Sequence, residues 1–323
     1  MNLLLTFLKK YKREYLKGFF FTILSALLSS FIPMVVKFAI DALEDMYENV
    51  IYYGLLIAAL GIARSVLLYF GRNIIVLAGR FIEKDIREKI FEKLLITRTE
   101  FFDEQGTGKI SSQIINDVEG VRMMLGFGGM IISHITPIFV FSVILEILIS
   151  PMLAVISFVP LFLIPILVIL YEKKIFYLSE IVQERISEIT NFSHEIFSKI
   201  KVIKNYNIES DVDKRFSEIS GSYSKANLLL SSKRGIFEAF IVFFSLLSLV
   251  VVIVAGSYFL DMGLITKGDL AGFIAYQLIL IWPAMAIGYL FVVIQRGFAC
   301  LWRLNKILEQ PQDQMKSSDI LLP

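Results

Sequence analysis

The side chains with most chemistry to offer are polar or ionisable groups interrupting long apolar runs: Arg64, His134, Glu146, Glu238, Tyr276, Gln277, Trp282, Tyr289, Gln295 and Arg296. A charge at bilayer depth is costly, so it faces a bundle interior or an aqueous cavity, pairs with another group, or handles a substrate. Arg64 lies about thirteen residues, roughly 20 Å, from the outer end of its run, too deep for easy snorkelling. It reads either as a structural partner of Glu146 or Asp41, or as a substrate contact. His134, Glu238 and Arg296 are weaker cases of the same kind, and Lys37 is expected to snorkel outward. Tyr276, Gln277, Trp282, Tyr289 and Gln295 could line a cavity, although tyrosine and tryptophan serve equally as packing or interfacial anchors.

A second group of residues lies well away from the apolar runs. One stretch holds Thr99, Glu100, Phe101, Phe102, Asp103, Glu104 and Gly106, and another holds Asn205, Tyr206, Asn207, Ile208, Glu209 and Asp211. Each breaks helical periodicity with turn-forming residues and sets aromatics among acids. Such aromatics are either docking knobs or staples that pack one helix on its neighbour. Catalytic and cofactor chemistry finds no foothold. The phosphate-cradling pattern G-x-x-x-x-G-K-[ST] is absent, and the two histidines, His134 and His194, stand on different segments, so no metal ligand set is expected. The lone cysteine, Cys300, reads as a packing residue.

The elements that must position these residues follow from composition. The chain is 56% hydrophobic and 19% charged, with mean hydropathy +0.69, too apolar for a water-soluble domain. A net charge of +2 gives no sign of a nucleic-acid partner. Spans of about twenty apolar residues must be helical in lipid, so the fold class is an all-α membrane protein with six long transmembrane helices and cytoplasmic extensions. With those extensions the helices are expected at 16–40, 51–98, 109–149, 152–204, 214–260 and 268–309. An interfacial elbow helix at 1–14 precedes them, its Leu3–Leu8 run on the inner leaflet with Lys9, Lys10, Lys12 and Arg13 at lipid headgroups. Residues 310–323 would begin a linker.

Orientation follows from lysine and arginine. The connection DALEDMYENV has four acids and no base, and the Ser150–Pro151 connection is uncharged, whereas the segments after the second and fourth spans hold most of the basic residues. Both ends and both long segments are therefore expected in the cytoplasm. In REKIFEKLL and ISEITNFSHEIFSKIKVI apolar residues recur at helical spacing among charges, so each long segment reads as two helices turning back on each other. Roughly thirty residues outside the bilayer would project about 45 Å.

This layout resembles the transmembrane domain of ATP-binding cassette (ABC) exporters, the six-helix type shared by multidrug, lipid and peptide exporters. The likeness covers nearly the whole chain. It rests on Arg87, Phe91, Phe101, Phe102, Asp103, Gly108, Asn116, Asp117 and Val118, then on Lys204, Tyr206, Glu209 and Phe216, with Pro33, Asp41, Gly268, Leu270, Pro283 and Arg303 in support. Gln113, Lys199 and Cys300 stand where the family usually has arginine, glycine and serine.

The resemblance implies that the two turns are coupling helices, centred on Thr99–Gly106 and 205–213, which dock on nucleotide-binding domains. It implies a second transmembrane subunit, as homodimer or heterodimer, and an amphipathic or hydrophobic small-molecule, lipid or peptide substrate. The expected location is a bacterial inner or plasma membrane. No cofactor is expected in this chain, while ATP and Mg2+ would act on a cassette that has either been removed or is a separate polypeptide, the resemblance favouring removal. The expected mechanism is alternating access. An ion-coupled secondary transporter and a non-transporting receptor or scaffold are the competing readings; the former would favour short loops and inverted repeats.

Overall fold

The computed structural model describes residues 2–45 and 50–311. Residues 46–49 of the first connection and residues 312–323 of the expected linker lie outside them. Among the described residues ten α-helices follow one another: α1 (Asn2–Lys10), α2 (Lys12–Asp45), α3 (Val50–Leu95), α4 (Thr99–Gln105), α5 (Thr107–Met123), α6 (Thr136–Ile149), α7 (Pro151–Ser198), α8 (Ile200–Tyr206), α9 (Glu209–Asp261) and α10 (Lys267–Leu308). No strand forms among the described residues. Between α5 and α6 the chain stays helical through two π-helical turns, Met124–Gly128 and Ile131–Ile135. Among the described residues six helical stretches are long and apolar enough to cross a bilayer: Lys12–Leu43, Val50–Leu95, Thr107–Ile149, Pro151–Ser198, Glu209–Asp261 and Lys267–Leu308.

Length decides what these helices can do. The 46 residues of α3, the 48 of α7 and the 53 of α9 span about 69, 72 and 80 Å at 1.5 Å per residue. A hydrocarbon core of about 30 Å holds less than half of each. The remainder carries the charge-rich sequence, so the same helix serves lipid in one part and water in another.

The chain divides into two compact units, one of Met1–Phe158 with Leu249–Pro323, the other Val159–Ser248. In the first, α2 and α3 approach closely at Gly71, where a Cβ would fall 2.9 Å from the backbone nitrogen of Thr22. Below that crossing Ile75, Ala78, Ile82, Ile86 and Ile90 recur every three or four residues of α3, all at most 1% exposed. They share a core with Val118 and Val121 of α5 and with Leu301, Leu304 and Ile307 of α10. A three-helix stalk results. Phe7 of α1 is buried in this core and Leu4 and Leu8 pack against it. Phe7, Leu4 and Leu8 of the expected elbow helix thus pack on the stalk core.

In the second unit Ile175, Leu178 and Val182 of α7 pack with Leu230 of α9. Tyr171 stacks on Phe237 with ring centroids 5.7 Å apart, and Phe192 on Phe216 at 6.5 Å.

Candidate functional site

Polar contacts concentrate in three places, and the helices that carry them explain each. The first is a seam inside the apolar part of the first unit. On α2, Thr22, Ser25, Ser29 and Ser30 are at most 1% exposed; the first three are spaced by three and four residues on one face, and Ser30 lies next to Ser29. Most of these hydroxyls return a hydrogen bond to their own helix, as Thr22 does to Gly18 O at 2.9 Å and Ser29 to Ser25 O at 2.9 Å. Other backbone oxygens on this face accept from neighbouring helices. The Tyr276 hydroxyl of α10 donates to Ser30 O at 2.9 Å, and Ser142 of α6 donates to the Ser30 hydroxyl at 3.3 Å. Next to Tyr276, Gln277 donates its amide to Glu146 Oε1, one turn beyond Ser142 on α6, at 3.2 Å. Glu146 is fully buried, and its Oε2 has no hydrogen-bond partner. A buried acceptor left unpaired costs about 1–3 kcal/mol.

The structure divides the intramembrane candidates. Glu146, Tyr276 and Gln277 come together in the seam, and His134, within the second π-helical turn, places Nδ1 3.1 Å from Thr22 O. Arg64, half-buried, lies within electrostatic range of His134. The expected pairing of Arg64 with Glu146 or Asp41 is not what forms: Glu146 is held by Gln277, and Asp41 by the start of α10. Glu238, Trp282, Gln295 and Arg296 are exposed, as is Tyr289, which meets Phe127 edge-on at 6.1 Å. The buried serines and Thr22 went unnoticed as site residues. Their helical periodicity inside an apolar run was the available signal.

The second place is the end of the bundle opposite the stalk. Asp41 accepts from Gly268 N at 2.9 Å and from the Thr266 hydroxyl at 3.1 Å. Thr266 and Asp269 form a reciprocal capping box that starts α10, at 3.0 and 2.9 Å. Lys37 pairs with Asp269 at 2.5 Å, its side chain 19% exposed. Lys37 thus does not snorkel outward as expected, because a carboxylate on the neighbouring helix meets it first.

The third place is the stalk and the tips. Arg303 of α10 grips Asp117 of α5 through two hydrogen bonds, 2.9 and 2.5 Å, and also reaches Cys300. Such two-point arginine–carboxylate contacts fix orientation as well as distance. Glu83 of α3, 6% exposed, is met by Arg80, Arg87 and Arg122. Lys10 of α1 donates to Asp85 at 2.5 Å, which holds its ammonium above the ordinary lysine range, and Tyr11 donates to the same oxygen at 3.0 Å.

At the first tip, α4 holds Thr99, Glu100, Phe101, Phe102, Asp103 and Glu104 in one seven-residue helix. It ends at Gly106, whose φ of 75° is open to glycine and strained for other residues. Phe101 and Phe102 are half-buried, ring centroids 5.8 Å apart, and Phe101 packs on the stalk core. Glu100, Asp103 and Glu104 are exposed. At the second tip the short helix comes earlier than expected. Asn205 and Tyr206 close α8, Asn207 adopts the left-handed conformation at φ 50° and ψ 41°, and after Ile208 the residues Glu209 and Asp211 already form the first turn of α9. Lys204 donates to Glu209 at 3.0 Å across this reversal. A cavity of about 510 Å³ lies beneath it, lined by Phe192, Ile196, Ile203, Val212 and Phe216 among others.

The ABC transporter transmembrane region family matches residues 15–284. The chain is 28% identical over 309 residues to a multidrug resistance-like ATP-binding protein, MdlA, of Buchnera aphidicola subsp. Schizaphis graminum, covering 94% of this chain and 53% of that protein. It is 26% identical over 298 residues to a probable multidrug resistance ABC transporter ATP-binding/permease protein, YheI, of Bacillus subtilis, covering 87% and 51%. Likeness to the MdlA protein of Escherichia coli is 22% over 305 residues, covering 92% and 51%. The chain spans about half the length of the curated relatives it matches.

Proposed function

This chain belongs to the ABC transporter transmembrane region family, and from that premise we propose that it is the substrate-translocating part of an exporter working by alternating access. The observation that carries this reading is the pair of short helices, α4 and α8, set at the ends of helices far longer than a bilayer is thick. A transporter whose energy came from within the membrane would not need such reach. The tips, Thr99–Gly106 and 205–213, serve as coupling helices against nucleotide-binding domains on which ATP and Mg2+ act. Two membrane subunits enclose the path, the stalks and both termini face the cytoplasm, and stalk movement transmits cassette closure as a largely rigid displacement.

The relatives' names point to multidrug resistance, and an amphipathic or hydrophobic cargo suits a seam whose few polar groups sit within apolar helices. No observation favours an ion-coupled transporter or a scaffold. The test is a disulfide that pins the stalk tips of a dimer apart in the cassette-bearing protein. Transport should stop under oxidising conditions and return on reduction; unchanged transport would reject the lever role.

A further inference from the structure

A fixed charge inside a translocation path sorts cargo by charge, because little water is there to screen it. We propose that Arg64 and His134 form an anion subsite within the bundle, so that the cargo is an amphiphile bearing a phosphate, sulfonate or carboxylate rather than a lipophilic cation. The inference rests on the exporter reading and deepens it by naming the cargo class.

Arg64 belongs to the inward face of α3. It stands seven residues, two turns, before Gly71 and so continues the line of Gly71, Ile75, Ala78 and Ile82. Ala63 and Ser65 on either side are exposed, whereas Arg64 is half-buried. Helix α2 ties Arg64 and His134 to one level. The Ser25 hydroxyl donates to Arg64 O at 2.8 Å, and one turn away Thr22 O accepts from His134 Nδ1 at 3.1 Å. A carbonyl oxygen only accepts, so Nδ1 carries the proton, and Nε2 has no partner among the described residues.

An anion is what this site lacks. Among the described residues no carboxylate forms an ion pair with Arg64. Glu146 lies twelve residues beyond His134, roughly 18 Å along the same span, fully buried and turned to Gln277. Asp41 is held by the start of α10. A cation roughly 20 Å inside an apolar helix is too deep to snorkel easily, so it is left for whatever enters between the helices. A guanidinium offers paired N–H donors that match two oxygens of a phosphate, sulfonate or carboxylate, and His134 Nε2 stands ready beside it. A lipophilic cation meets repulsion at the same point.

The test takes the full gene product in a neutral maltoside detergent, with dodecyl phosphate and dodecyltrimethylammonium as ligands of equal tail and opposite charge. The parent should bind dodecyl phosphate about tenfold more tightly, read from ligand-induced shifts of the unfolding midpoint. Arg64→Gln should remove that preference, Arg64→Glu should reverse it, and Arg64→Lys should keep most of it. His134→Leu should weaken dodecyl phosphate about threefold and leave the cation unmoved. Equal affinity of the parent for both ligands, or a preference that survives Arg64→Gln and Arg64→Glu, would overturn the subsite; the parent measurement decides even where a variant misfolds. Once the preference is seen, competition by phosphatidylglycerol marks the ligand as a lipid headgroup, and its failure to compete marks it as a free acid. Transport separates this inference from the reading beneath it. If inside-out vesicles accumulate dodecyltrimethylammonium on ATP but not dodecyl phosphate, only the subsite fails; if ATP drives neither, the exporter reading falls with it.

Discussion

The two hairpin tips solve one problem in opposite ways. At α4 the aromatic side chains turn inward: Phe101 and Phe102 are half-buried and Phe101 joins the stalk core, leaving an acidic outer face. Around α8 they turn outward, with Phe197 and Tyr206 72% and 74% exposed beside an apolar cavity. The first tip is clamped to its own stalk, and the second keeps its apolar surface free for something else. Aromatic residues beside acids at a turn thus have two fates, decided by whether a core lies beneath them.

That contrast can be broken by substitution. Phe101→Ala should cost about 2 kcal/mol of stability, roughly half the loss at a fully buried phenylalanine, read as a lower unfolding midpoint and faster hydrogen exchange through α4. Tyr206→Ala should instead leave the midpoint within about 0.5 kcal/mol and lower transport turnover about tenfold, as for an exposed anchor of a docked partner. If Tyr206→Ala unfolds the tip, or Phe101→Ala leaves stability unmoved, the two tips are not different in kind. Gly106→Ala, forced to hold φ near 75°, should cost about 1 kcal/mol, whereas Asn207→Gly, already left-handed, should be close to neutral by the same unfolding measurement. The smallest effect belongs to Lys204→Ala, whose exposed pair with Glu209 should matter only at low salt.

Much of the architecture could be read directly from residue order. Six apolar runs and their charged continuations were visible because lipid admits only helices there, and because Ile90 and Leu94 kept helical spacing after the apolar run ended. Interior faces were harder. A helix apolar all round has no amphipathic stripe to say which way it turns, so Tyr276 and Gln277, both buried, looked no different from Trp282 and Gln295, both exposed. Arg64 drew a wrong partner because depth along a helix was known and angle around it was not. The Lys37–Asp269 pair joins residues far apart in sequence, and neither carries a local sign of the other. The α2 serines carry little local sign of a role, since Ser29 and Ser30 return bonds to their own helix and Ser25 reaches Arg64 O of α3.

The π-helical turns between α5 and α6 have a consequence for heredity as much as for shape. Each extra residue in such a turn swings everything beyond it by about 100°. Asp117 before these turns and Glu146 after them nonetheless both address α10, through Arg303 and Gln277. The two halves of this span are thus kept in step by residue count, much as codons are kept in frame. Losing one residue between 124 and 135 would aim either the stalk grip or the seam away from its partner. Point substitutions there should be tolerated far better than single-codon deletions.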